Sequence, residues 1–121
     1  MLLFIRIFLL VYGIIAIITG FMGASASYDA TITPMQDNNH RYVAAIWASM
    51  SITFFYVAWN PSEVALFRFL MIAVFIGGIV RALALVNYPP TNFLTFIILL
   101  ELIPTVVLFY MHNKLLKAGI I

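Results

Sequence analysis

Residues 64–111 read VALFRFLMIAVFIGGIVRALALVNYPPTNFLTFIILLELIPTVVLFYM. Two long apolar runs flank the polar turn Asn87-Tyr88-Pro89-Pro90-Thr91-Asn92. A hydrocarbon core about 30 Å thick takes about 20 helical residues to cross, and proline disfavours helix in the residue before it. The stretch therefore predicts two transmembrane helices, over about residues 64–86 and 93–111, antiparallel because the turn is short. Runs such as Phe96-Ile97-Ile98-Leu99-Leu100 do not alternate as the roughly ten-residue strands of a membrane barrel must. A helix also satisfies its backbone hydrogen bonds internally, which lipid demands.

Upstream, the same reasoning predicts spans over about residues 2–22 and 42–59, the latter closed by Asn60-Pro61-Ser62. The expected fold is an all-α, single four-span membrane domain: a four-helix bundle with one longer external loop over about residues 23–41. Composition agrees. The chain has 121 residues, 65% apolar and 8% charged, against about half apolar and a quarter charged for a soluble domain. A chain this short buries only about two-thirds of its unfolded surface, so the excess apolar surface must meet lipid. Arg6 and Ala24-Ser25-Ala26 resemble the n-region and cleavage site of a signal peptide. The apolar run after Arg6 is longer than a usual h-region, and the segment reads as a true span.

Orientation follows from basic residues at span ends. With a cytoplasmic N-terminus, Arg6, Arg68, Lys114 and Lys117 fall on the cytoplasmic side, and Arg41, Asp29 and Asp37 outside. N-in, C-in is the expected topology. Tyr28, Tyr42 and Tyr88 then lie near one interface, Trp59 and Tyr110 near the other, as aromatic belts.

Two charges stand inside the spans, Arg81 and Glu101, and each costs at least ~2.5–3.5 kcal/mol near the bilayer centre. At 1.5 Å per residue, Arg81 lies roughly 10 Å and Glu101 roughly 14 Å below the outer interface. An Arg side chain bridges that offset, so an Arg81–Glu101 pair is expected, with Arg41, His40 and Asn39 entering from the outer end of span two. Gly77 and Gly78 share the face of Arg81, where small residues let a neighbouring helix pack close or leave space. Pro104 removes a backbone donor, which predicts a kink and a free Leu100 carbonyl beside the carboxylate. Two readings stay open: a register-locking ion pair and a ligand or ion site.

Gly13, Ala16, Gly20 and Gly23 form a small-residue face for close helix packing. Ser49, Ser51 and Thr53 in span two either line a cavity or bond their own i−4 carbonyls. Asp29 and Asp37, with His40, are weak candidates for an external cation site, because their spacing fits no metal pattern. There is no cysteine, hence no disulfide or thiolate site. No basic cluster points to nucleic acid. No phosphate loop, nucleophile elbow or zinc-protease helix is present; the expectation is no enzyme, no catalytic residue and no cofactor.

The landmarks Asn38-Asn39-His40-Arg41, Gly77-Gly78-Ile79-Val80-Arg81 and Glu101-Leu102-Ile103-Pro104 resemble a family of small four-helix bacterial inner-membrane proteins known only as a domain of unknown function. The resemblance covers nearly the whole chain. It implies a bacterial inner-membrane location and one site containing Arg41, Arg81 and Glu101. Where that family carries glycines soon after the outer Arg, Ala44 and Ala45 stand here.

The leading functional expectation is a small oligomeric membrane protein, a dimer or trimer, with an outward-facing polar site for a small ligand or cation, with a role in transport. The alternative is an accessory subunit of a larger complex, with Arg81–Glu101 as structural glue. A third reading is proton-coupled efflux. The small multidrug exporters also have four short spans, but they keep their essential carboxylate in the first, where this chain has only Arg6.

Overall fold

The computed structural model describes residues 1–121. All of its regular structure is helical: α1 (Leu2–Ser25), α2 (Pro34–Trp59), α3 (Val64–Ala84) and α4 (Asn92–Lys117). Each helix is long and apolar enough to cross a membrane, as the sequence predicts.

The ends follow from local chemistry. α2 begins at Pro34, well before the expected Tyr42, so the predicted loop over residues 23–41 is mostly helix and only residues 26–33 connect α1 to α2. The cause is a capping box. Gln36 N donates to the Thr33 hydroxyl at 3.2 Å, Thr33 N donates back to Gln36 Oε1 at 2.9 Å, and Pro34 takes the first helical position. That arrangement satisfies two orphan amides and presets φ. Thr91 caps α4 by accepting from Leu94 N at 3.1 Å. α3 stops at Ala84 rather than Val86, tightening into i→i+3 bonds such as Asn87 N to Ala84 O. α4 outruns its predicted end at Met111 and closes on Gly119, whose φ of +73° a residue with a Cβ rarely adopts. There Gly119 N donates to Leu116 O and Ile120 N to Leu115 O, the two bonds of a Schellman end.

The chain divides into two compact units. One spans Arg6–Asn60 and holds most of α1 together with α2. Its helices are antiparallel: Arg6 Nε donates to Ala58 O, while Trp47 Nε1 donates to Thr19 Oγ1 nearer the other end. In lipid the tails are as apolar as the side chains, so helices associate through close packing and polar contacts rather than hydrophobic transfer. The glycines serve that packing. A Cβ on Gly20 would meet Ala48 N at 2.5 Å and Ala44 O at 2.6 Å, and one on Gly13 would strike the Phe55 ring at 2.5 Å. The closeness that glycines after Arg41 would provide comes instead from α1, with Ala44 and Ala48 as small partners. Tyr12, Phe54 and Trp47 fill the rest, with ring centroids 5.8 Å and 6.1 Å apart along the series.

The second unit comprises Met1–Ile5 and Pro61–Ile121. α3 buries Phe67, Leu70, Met71, Val74 and Gly78, spaced as one helical face, and α4 buries Ile98, Thr105, Leu108, His112 and Leu115. As α3 runs from Phe67 to Arg81, its partners on α4 run back from His112 to Glu101, so this pair is antiparallel too. The outward faces are equally apolar. Phe96, Val106 and Leu83 are each more than half exposed, as expected of helices whose other face meets lipid.

Candidate functional site

Arg81 occupies the last turn of α3, where a cation also complements the helix dipole. Its Nε donates to Glu101 Oε1 on α4 at 3.0 Å. The sequence brings these two together by depth alone, and the structure pairs them. The sides of the pair are unequal. The Arg81 side chain is 51% exposed and the Glu101 side chain 19%. The second carboxylate oxygen, Oε2, is buried and has no hydrogen-bond partner.

Gly78 explains how the carboxylate comes to lie there. A Cβ at Gly78 would stand 2.9 Å from both Glu101 Cβ and Leu102 Cδ2. The glycine lets α4 seat against α3 at the turn that carries the acid. Gly77 behaves differently: nothing lies within 4 Å of its missing Cβ, so the expected packing role is not exercised within the chain. α4 continues across Pro104 as one helix, and Leu100 is not left without a partner. Thr105 attends to the neighbouring carbonyls, its hydroxyl donating towards Glu101 O at 2.8 Å and Leu102 O at 3.0 Å.

The remaining candidates belong to the α1–α2 unit and have local employment. Arg41 Nε donates to Asp37 Oδ2 at 2.8 Å, and Arg41 Nη1 donates to Ala24 O at 3.0 Å. The first contact is an i, i+4 helix pair; the second ties α2 to the end of α1. Asn39 and His40 are exposed on the opening turns of α2 rather than in a loop. Asp29 accepts from Thr31 N and Thr31 Oγ1 at 2.9 Å and 2.7 Å. These donations, the backbone one first, hold its carboxyl below the usual carboxylate range. Asp29 and Asp37 thus serve a turn and a helix pair, and no group of three metal-ligating side chains assembles. Ser49 bonds Ala45 O, four residues back, at 2.9 Å, the local alternative to lining a cavity.

One residue escapes a reading by motif. His112 is fully buried, stacked on Phe67 with centroids 3.8 Å apart and planes 10° from parallel. Its Nε2 lies 2.6 Å from Pro61 O. A carbonyl only accepts, so Nε2 carries a proton, while Nδ1 is buried and unpartnered. The spacing of Thr105, Leu108, His112 and Leu115 was the available signal, since it puts the imidazole on the buried face.

The family model described as a domain of unknown function (DUF4345) matches residues 4–112, which takes in Gly78, Arg81 and Glu101. No curated protein and no solved structure matches the chain. With the match running through all four helices and both members of the ion pair, this chain belongs to the family of the domain of unknown function DUF4345.

Proposed function

We propose that this protein binds a small polar ligand or cation within the membrane at the Arg81–Glu101 pair, as a binding or transport module rather than an enzyme. The observation that carries the reading is the asymmetry of one carboxylate: Oε1 accepts from Arg81 while Oε2 is buried with no partner. A buried acceptor without a donor costs about 1–3 kcal/mol, and the low dielectric around it strengthens whatever donor arrives. An ammonium, an amide or hydroxyl donor, or a small cation meets that need. Arg81, half exposed, has N–H groups left for an acceptor on the same ligand.

In this reading the termini are cytoplasmic, since the basic span ends then lie inside, and the pair sits in the outer half of a bacterial inner membrane. The chain acts as a homo-oligomer, a dimer or trimer, because four helices leave little room for a path of their own. Native mass spectrometry from mild detergent tests the site, comparing wild type with Glu101→Gln. A small mass retained by wild type and lost in the variant is the expected result; identical spectra overturn it.

The close seat of Gly78 on Glu101 favours a second reading, in which the ion pair locks α3 to α4 and the protein is an accessory subunit of a larger complex. That reading predicts no retained mass and a loss of stability in Glu101→Gln.

A further inference from the structure

Away from the ion pair, α3 and α4 enclose a groove of about 380 Å³, within the range of small-ligand sites. Met71, Ile72, Phe75, Val106 and Phe109 wall it, and Asn113 stands at one end. The two helices contribute rows at three- and four-residue spacing. Extending each row towards the Asn113 end reaches a cation: Arg68 precedes Met71 and Ile72 on α3, and Lys117 follows Asn113 by one turn on α4.

Arg68 is tied to the groove wall. Its Nη2 donates to Asn113 Oδ1 at 3.1 Å, and its Cζ lies 5.8 Å from the Phe109 ring centroid. Both contacts are with residues of the groove wall. The residue is exposed, and a guanidinium has five N–H donors, so donors remain for a second acceptor. The carboxylate carried by α4, Glu101, is committed to Arg81.

The groove is therefore apolar along its length and cationic at one end. From Thr105 to Asn113 the wall rises roughly 12 Å along α4. That is the shape and polarity of a single amphiphile lying along the helices. A compact polar ligand would need polar partners along the walls; beyond Asn113 the lining offers only Tyr110 and Thr105, whose hydroxyl is already given to backbone carbonyls of α4.

We infer that this groove is a specific site for one anionic phospholipid, its acyl chain along Ile72, Phe75 and Val106 and its phosphate against Arg68 and Lys117. Planar guanidinium donors match phosphate oxygens, and the lysine adds charge at the same end. The site is independent of the Arg81–Glu101 reading and of the orientation of the chain in the membrane.

The test is native mass spectrometry of delipidated protein in mild detergent, given equal phosphatidylglycerol and phosphatidylcholine of identical acyl chains. Two basic residues near a headgroup predict a preference of roughly tenfold or more for the anionic lipid at low salt. Arg68→Gln with Lys117→Gln, both exposed positions that leave helicity unchanged by circular dichroism, abolishes the preference and leaves equal adducts. Ile72→Trp fills the groove and lowers retention of both lipids. The proposal is overturned if wild type shows no preference, or if the preference survives the double glutamine variant. It is equally overturned by a lipid-free dimer that Ile72→Trp dissociates, which would give the groove to a second copy of the chain.

Discussion

Gly78 and Glu101 face each other so closely that a Cβ on the glycine would stand 2.9 Å from the Cβ of the glutamate. The glycine sets how near α4 comes to α3, and thereby whether the carboxylate reaches the guanidinium on the next turn of α3. Backbone approach and ion pair are one arrangement.

Gly78→Leu is expected to destabilise the α3–α4 unit by about 1–3 kcal/mol, the usual cost of overpacking a tight contact. Gly77→Leu, with open space at its Cβ, is the control and should stay within about 0.5 kcal/mol. Unfolding in mixed micelles followed by circular dichroism measures both; equal effects would refute the asymmetry.

Arg81 and Glu101 should couple. Single changes to Gln each strand one partner, whereas the double change removes both charges, so a double-mutant cycle should return an interaction of about 0.5–3 kcal/mol. Strictly additive losses would mean that the 3.0 Å contact contributes nothing to stability.

His112 joins the far end of α4 to the turn before α3. His112→Leu keeps the volume but leaves Pro61 O without its donor, a loss of about 1–3 kcal/mol. Nitrogen chemical shifts of the wild-type imidazole check the assignment directly. A proton should sit on Nε2; a proton on Nδ1 alone would contradict the geometry.

Asp29 lies outside the spans, and its carboxyl is held below the usual range by the Thr31 amide and then the Thr31 hydroxyl. A depressed folded pKa means that the turn's contribution is complete above the ordinary carboxylate value and is lost as pH falls through the lowered one. Carbon NMR of Asp29 should therefore show a midpoint below about 3.9, and Thr31→Val should move it upward. A wild-type midpoint at or above that value would dispose of the turn.

Much of this architecture is legible one residue at a time. The four helices follow from apolar run length and from turn chemistry at Asn60-Pro61-Ser62 and Asn87 to Asn92, because lipid leaves a backbone few alternatives to helix. The meeting of Arg81 and Glu101 follows from depth along two adjacent antiparallel helices. The start of α2 was equally legible: Thr33-Pro34-Met35-Gln36 is a capping box with proline at the first position, and the polarity of Asp37 to Arg41 hid it by resembling a loop. Asp37 to Arg41 are polar because they lie in the opening turns of a long helix.

Other properties belong to three dimensions. Gly77 and Gly78 are identical neighbours in sequence, yet only Gly78 faces α4, because one residue turns a helix face by about 100°. Arg41 looks like a partner for the buried acid, and within its own unit it is held by Asp37 and Ala24, because an i, i+4 carboxylate is always within its reach. The orphaned oxygen of Glu101, the burial of His112 and the groove beneath Arg68 depend on which atoms of α3 meet which atoms of α4. Four apolar helices, with Arg81 on the third and Glu101 on the fourth, can be read directly from the chain, since hydrophobic length and turn residues are local quantities. Which carboxylate oxygen is satisfied and which is not emerges from the packing of α3 on α4, since hydrogen bonding depends on tenths of an ångström between helices and no one-dimensional pattern carries that distance.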